Sequence, residues 1–385
     1  MQLSMLCLAV FVYAGFGSPT PDQFGWAEAM VGGLLVFAVG VSGVFAAFQF
    51  NRERPLWASA GKAFFIFGLS IPLVIGALSA NDPAMLVRDF VAFLFMVLAV
   101  LIWPLYEQPR TKTFLSLSAV LLGFVFAMRA LWDVPFLARG EELYYLANMP
   151  SVLFAVIFCA GSALVMLCER INIKTLLRSL GLLIIAGVCV LPMIETQQRA
   201  SIGAFVLSTG ILMVLKMRTH PKNALAIMLM LCVPAFVFWP DIQNVLDTLG
   251  RKTELVGVNM RTQEWQAVWA EVSSNPLPLF FGQGWGASFA SPAVADIEVN
   301  FTHGLLSSLL LKTGLIGFAL GGVYIGALLW ALSKRFQTFP AWVLAIAAPV
   351  LIDCLLYASF KSLDFGLVLA LIPALLYSKE SIKQP

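Results

Sequence analysis

Long apolar runs separated by short polar breaks make up nearly the whole chain. Runs of about 20 apolar residues are long enough to cross a hydrocarbon core as helices, whereas membrane strands would be about 10 residues long with alternating polarity. The pattern predicts twelve helical spans, at about 2–16, 28–50, 57–78, 90–106, 113–131, 149–167, 176–194, 200–215, 224–239, 304–332, 341–359 and 365–378. One interval departs from it. Between Pro240 and His303 no run is of membrane grade, so three parts are expected: nine spans in 1–239, a loop over 240–303, and an interfacial helix with three spans in 304–385. The predicted fold class is an all-α integral membrane protein of about twelve transmembrane helices, with one large loop that contains short helices.

Composition agrees. The chain is 60% hydrophobic and 12% charged, with a mean hydropathy of +0.89, against roughly 25% charged residues in soluble domains. The six cysteines lie in or at the ends of apolar runs, without a Cys-x-x-Cys, so they read as small buried hydrophobes rather than a disulfide or thiolate framework. The first apolar run has no basic stretch before it and no small-residue cleavage site after it, so it is expected to be a retained helix.

Charge sets the orientation. Alternate connections are basic, such as Arg110 to Lys112, Arg170 to Arg178 and Lys216 to Lys222, and that side holds 15 of the 24 Lys and Arg residues. Basic residues near span ends favour the cytoplasm. Both termini, including the tail with Lys379 and Lys383, are therefore expected inside, and the 240–303 loop outside. The tenth run, Gly304 to Leu332, is 29 residues, or about 43 Å of helix against a core of about 30 Å. A break at Lys312-Thr313-Gly314 is expected, with a short interfacial helix over 304–311 before a span from about Leu315.

The chain has two histidines. His220 sits among Lys216, Arg218 and Lys222 and reads as a solvated residue in a turn. His303 closes the loop where an apolar helix begins, and is either a cap residue at the interface or a base. Arg199 stands at the start of the eighth span, where freed amides and a guanidinium make an anion site; the plainer alternative is an interfacial anchor. Arg88, in the turn after the third span, is a weaker candidate for the same anion.

Arg261 is the most informative of the loop residues. Trp265, Val268, Trp269 and Val272 follow at helical spacing, with Asn259 as a possible N-cap, so Arg261 falls on the inward face at a helix start. A cation there opposes the helix dipole and calls for an anion. Arg251-Lys252 reads as an exposed pair, the aromatics (Trp265, Trp269, Trp285, Phe280, Phe281, Phe289) as a small core or belt, and Gly282-Gln283-Gly284-Trp285-Gly286 as a tight turn. Asp296-x-Glu298 has the spacing of a metal-chelating pair but lacks further ligand candidates nearby. Nothing points to nucleic acid.

In combination these residues resemble the O-antigen ligase and O-antigen polymerase superfamily of bacterial envelope glycosyltransferases. Four pieces occur in that family's order: Gln198-Arg199-Ala200-Ser201-Ile202-Gly203, Arg261 with Trp265 and Trp269, Asn275-Pro276 with Phe281-Gly282-Gln283-Gly284, and His303-Gly304-Leu305-Leu306 with Thr313-Gly314-Leu315-Ile316-Gly317. The specific resemblance covers about 195–335. Gln-Arg-Ala replaces the family's Ser-Arg-Gly, and Gly304 replaces a polar neighbour of the histidine. The pattern is closest to the ligases. The resemblance implies transfer of O-antigen polysaccharide from undecaprenyl pyrophosphate to a lipid A-core acceptor sugar, at the periplasmic face of the inner membrane, by inversion and without nucleotide or metal. It implies that Arg199 and Arg261, with Arg88 in support, bind the pyrophosphate and that His303 is the base. Arg199 comes from a turn far ahead of the loop, so the loop is expected to act as a lid over a lipid-facing cleft. A polymerase or a protein O-oligosaccharyltransferase would use the same donor. A secondary transporter is the alternative of another class, but it would place charge at mid-membrane, and Lys62, Arg129 and Asp353 lie near predicted span ends.

Overall fold

The structure, a computed structural model, describes residues 1–17, 25–50, 54–131, 145–237, isolated positions from 239 to 250, and 260–377. Arg139, Arg251, Lys252, Asn259, Lys379 and Lys383 lie outside the described residues. The helices used below are α1 (Gln2–Phe16), α2 (Trp26–Phe48), α3 (Leu56–Leu78), α4 (Pro83–Met96), α5 (Thr111–Leu131), α6 (Pro150–Glu169), α7 (Ile173–Glu195), α8 (Arg199–Thr219), α9 (Pro221–Val237), α10 (Arg261–Ser273), α11 (Pro276–Phe281), α12 (Leu305–Ser333), α13 (Pro340–Leu355) and α14 (Leu363–Leu376).

This is a helical, multi-pass membrane protein. Among the described residues, seven helices are long and apolar enough to cross a bilayer: α2, α3, α5, α6, α7, α8 and α12. These seven coincide with seven of the twelve expected spans, and the other five expected runs form shorter helices. The run at 90–106 is not one helix: α4 ends at Met96, a four-residue helix follows, and Pro104 opens a 3-10 turn over Trp103–Glu107. The helices α1, α13 and α14 are apolar but only 15, 16 and 14 residues long, and α9 has 17.

A helix that is apolar all round belongs inside, and α14 obeys this: every residue from Leu363 to Leu375 is buried. Around it pack α4, α5, α6, α12 and α13. By contrast, α7 and α8 leave Leu176, Leu180, Leu183, Ile184, Val206 and Leu207 exposed. Apolar area on that scale is what lipid covers.

Several buried charges are engaged at helix ends. Arg129 donates to the carbonyls of Ala14 and Gly17 at 2.9 and 3.0 Å, and Asp364 accepts from the Ser151 amide at 3.0 Å. Lys62 donates to the Gln49 carbonyl. These groups complete orphan backbone positions, a role distant from that of a transport site.

The long run from Leu305 is broken at Gly314, which has φ 61° and ψ −166°. That backbone is strained for any L-residue. A Cβ there would lie 2.5 Å from the Gly282 amide nitrogen. The break therefore also lets the Gly282–Gly286 turn dock directly on α12.

The loop part is not helical throughout. Phe289–Ser291 (β1) pairs antiparallel with Ile297–Val299 (β2), an element absent from the sequence expectation. A second small core joins Val268 and Val272 of α10, Phe289 of β1, and Leu310 and Leu311 of α12. The hairpin and α10 are thus fixed to the bundle rather than to each other alone.

Candidate functional site

The helix α10 forms as its spacing predicts, but its inward stripe is Glu264, Val268 and Val272, all buried. Trp269 is half exposed. The face is therefore rotated from the one expected, and a carboxylate replaces a tryptophan on it. The side chain of Arg261, at the helix start, is 16% exposed, and its Nη1 lies 3.7 Å from Glu264 Oε2. The anion that an inward guanidinium requires is thus internal, three residues along the same helix.

Glu264 also grips His303. Its Oε1 accepts the His303 backbone N–H at 2.7 Å, and its Oε2 lies 2.6 Å from His303 Nδ1. An ionised carboxylate has no proton to donate, so Nδ1 carries the hydrogen in the neutral ring. Nε2 is then left with its lone pair, the tautomer that a general base needs. The Glu264 side chain is 2% exposed and that of His303 25%. The carboxylate is therefore shielded while the imidazole reaches solvent. Phe301 meets the imidazole edge-on, with ring centroids 5.6 Å apart.

The glycine turn is a docking device. Its amides from Gly282 to Gly286 donate in order to Pro278 O, Leu311 O, Lys312 O, Pro72 O and Asp89 Oδ2, at 2.8 to 3.0 Å. None is aimed at a phosphate. Pro72 lacks the N–H that would close the helical bond to Gly68 O, and Trp285 Nε1 donates to that carbonyl at 2.9 Å. A proline inside α3 thus creates the socket for Trp285. Gly284, at φ 82°, sits against the backbone of Gly76.

A second carboxylate stands where this turn, α4 and α12 meet. Asp89 is buried and pairs with Lys312 and with Lys361, whose Nζ lies 3.0 Å away. Burial opposes the charge of Asp89, but the two ammonium groups outweigh it and hold the carboxyl below its usual range. Both lysines also donate to the Asn300 carbonyl, at 2.6 and 3.3 Å. They tie down the segment that carries His303.

Residues 180–322 match a family model described as O-antigen ligase. Over that region the chain is similar to the O-antigen ligase superfamily. The matched segment runs from α7 into the second half of α12, and so contains Arg199, Arg261, Glu264, His303 and Lys312. Arg88, Asp89 and Lys361 fall outside it. No curated protein matches the chain.

Of the four residues expected in the site, His303 and Arg261 meet through Glu264. Arg199 is the first residue of α8, behind the buried Gln198. Arg88 precedes Asp89 and lies close enough to Lys312 for their charges to repel. Asp296 precedes β2 and Glu298 lies within it, where it accepts from Ser288 Oγ at 2.6 Å. Sequence inspection missed Glu264. The signal was present: the spacing Arg261-x-x-Glu264 puts an acid on the face whose cation demanded one.

Beside Arg261 opens a groove of about 440 Å³, lined by Thr262, Trp265, Gln266 and Trp269 of α10 and by Leu310, Leu315 and Phe318 of α12. Its walls are almost wholly apolar. Thr262, one of its lining residues, follows Arg261 in the chain.

Proposed function

We propose that this protein is an O-antigen ligase-like glycosyltransferase, acting at the periplasmic face of the inner membrane on a glycan carried by undecaprenyl pyrophosphate. The observation that carries the reading is the Arg261–Glu264–His303 constellation, with a base, its orienting carboxylate and a cation next to an apolar groove. His303 Nε2 takes the proton of the acceptor hydroxyl, and the resulting imidazolium is stabilised by Glu264 at Nδ1. The acceptor oxygen forms its bond to the anomeric carbon from the face opposite the leaving group. The bond from that carbon to the pyrophosphate oxygen breaks, and undecaprenyl pyrophosphate leaves with the electron pair. A single displacement of this kind inverts the anomeric centre.

Charge grows on the pyrophosphate as that bond breaks, so fixed guanidiniums stabilise the transition state more than the ground state. Arg261 fills this role, with Arg199 joining it from the start of α8 and Arg88 in support. The groove between α10 and α12 suits the apolar polyprenyl chain, and its position beside Arg261 keeps lipid and charge adjacent. Lipid A-core sugar is the acceptor in this reading, and a second lipid-linked glycan would make the protein a polymerase.

Transfer in vitro from purified lipid-linked glycan to lipid A-core tests the reaction, with inversion read by NMR of the product linkage. A deletion strain separates the two acceptors. Loss of all capped lipopolysaccharide supports the ligase, whereas persistence of a single-repeat form supports a polymerase. Product with retained anomeric configuration would refute the single displacement.

A further inference from the structure

The geometry points to Lys361 as the contact for the second phosphate of the donor, making the Asp89 cluster the element that selects a pyrophosphate over a monophosphate. The inference rests on the lipid pyrophosphate donor proposed above. Two ammonium groups face one carboxylate. Lys312 is sealed, with its side chain 1% exposed, and donates to Asp89 Oδ2 and to Asn300 O at 2.6 Å. Lys361 donates to Asp89 Oδ1 at 3.0 Å and to Asn300 O at 3.3 Å, with its side chain 15% exposed. Asp89 Oδ2 additionally accepts the Gly286 amide.

With both lysines protonated, the cluster holds one positive charge beyond what Asp89 neutralises, and Arg88 adds another cation beside it. Excess charge in a desolvated cluster is costly unless an anion completes it. Lys312 is enclosed, so Lys361 is the group through which the excess reaches solvent. An ammonium has three N–H donors. Asp89 and Asn300 engage two of them, which leaves a third for a phosphoryl oxygen.

Placement ties this charge to the proposed site. The segment Asn300–Gly304 has its first carbonyl on Lys361 and its His303 on Glu264. Gly304 packs against the carbonyls of Cys354 and Leu355, just ahead of the short helix Ala358–Lys361. Three residues of extended chain span at most about 11 Å, so the two clusters are near neighbours. The shared segment Asn300–His303 thus carries both clusters, and the inference sets one phosphate at Arg261 and the other at Lys361.

Farnesyl pyrophosphate and farnesyl monophosphate, titrated into the full-length protein in nanodiscs and followed by calorimetry, test the assignment. Wild type should bind the pyrophosphate at least tenfold more tightly. Lys361→Met should lose at least tenfold for the pyrophosphate and less than threefold for the monophosphate, and Lys361→Arg should stay within threefold of wild type. Lys361→Gln, which keeps a donor for Asp89 and Asn300 but removes the charge, should match Lys361→Met and serves if the latter does not fold. Unchanged pyrophosphate binding in both uncharged variants, with Arg261→Ala impaired, overturns the role of Lys361 and leaves the proposed function standing. Equal loss for both ligands overturns the assignment to the second phosphate. If wild type binds neither ligand, the donor reading fails and this inference fails with it.

Discussion

Glu264 and Asp89 are each a buried carboxylate faced by two cationic or basic side chains, yet they have different consequences. Glu264 holds Arg261 and the imidazole of His303, whose side chain is a quarter exposed. Asp89 holds Lys312 and Lys361 and accepts an amide of the glycine turn. A carboxylate paired with imidazole orients a group whose proton moves near neutral pH. A carboxylate paired with two ammonium groups gives fixed charge and rigid anchorage. The same arrangement thus orients an imidazole in one place and concentrates positive charge in the other, and the difference lies in the partner and its access to solvent.

Substitutions can break this contrast, and the largest effect is expected at His303. His303→Ala should lower transfer by about 10²–10⁴-fold at unchanged membrane level, measured with purified donor and acceptor. Near-normal turnover would remove the base assignment. Arg261→Ala should cost about 10²–10³-fold in kcat, with partial recovery in Arg261→Lys, whose ammonium cannot reproduce the guanidinium fork.

On the other side of the comparison, Asp89→Asn should act on stability, by about 3–5 kcal/mol, because it leaves the buried ammonium of Lys312 and the partly exposed one of Lys361 facing a neutral amide. Thermal unfolding in detergent reads this directly. Since the folded state holds the carboxyl of Asp89 below its ordinary value of about 3.9, its contribution is complete above that ordinary value. It should vanish only as pH falls through the lowered one. A wild-type advantage over Asp89→Asn that disappears already near pH 6 would contradict the pairing.

Glu264→Gln sharpens the contrast further. It keeps the shape but removes the charge that fixes the Nδ1–H tautomer, and should lower kcat by about 10–100-fold with KM within threefold. A purely structural carboxylate would instead lower the melting temperature and leave the turnover of the folded fraction intact. The smallest effect is expected in the groove. Trp269→Ala removes one wall and should raise KM for the lipid-linked donor by a few-fold, about 1 kcal/mol, without changing kcat.

Much of this was legible in the chain. The apolar runs announced a helical membrane protein, the excess length of the tenth run announced the break now seen at Gly314, and His303 and Arg261 stood out by type and position. Which apolar runs are enclosed by protein was not legible, because apolarity does not separate α14, buried along its length, from α7, whose leucines are exposed. Nor was the hairpin at 289–299, whose strands are three residues each. Glu264 was overlooked because the anion needed by Arg261 was sought in a ligand, and a one-residue change in the inward stripe moved a carboxylate into that position.

The sequence alone determined membrane residence, the helical class, and which residues are candidates for chemistry, because these depend on composition and on spacing along one element. The tertiary structure alone decided which of those residues meet. His303 and Glu264 are 39 positions apart, and Lys361 and Asp89 are 272 apart. Contacts across such distances depend on how helices pack, on a proline that frees a carbonyl for Trp285, and on a glycine that lets a turn touch α12. None of these has a periodic signature. The imidazole, the carboxylate beside it and the neighbouring cations meet only because several elements close on one another.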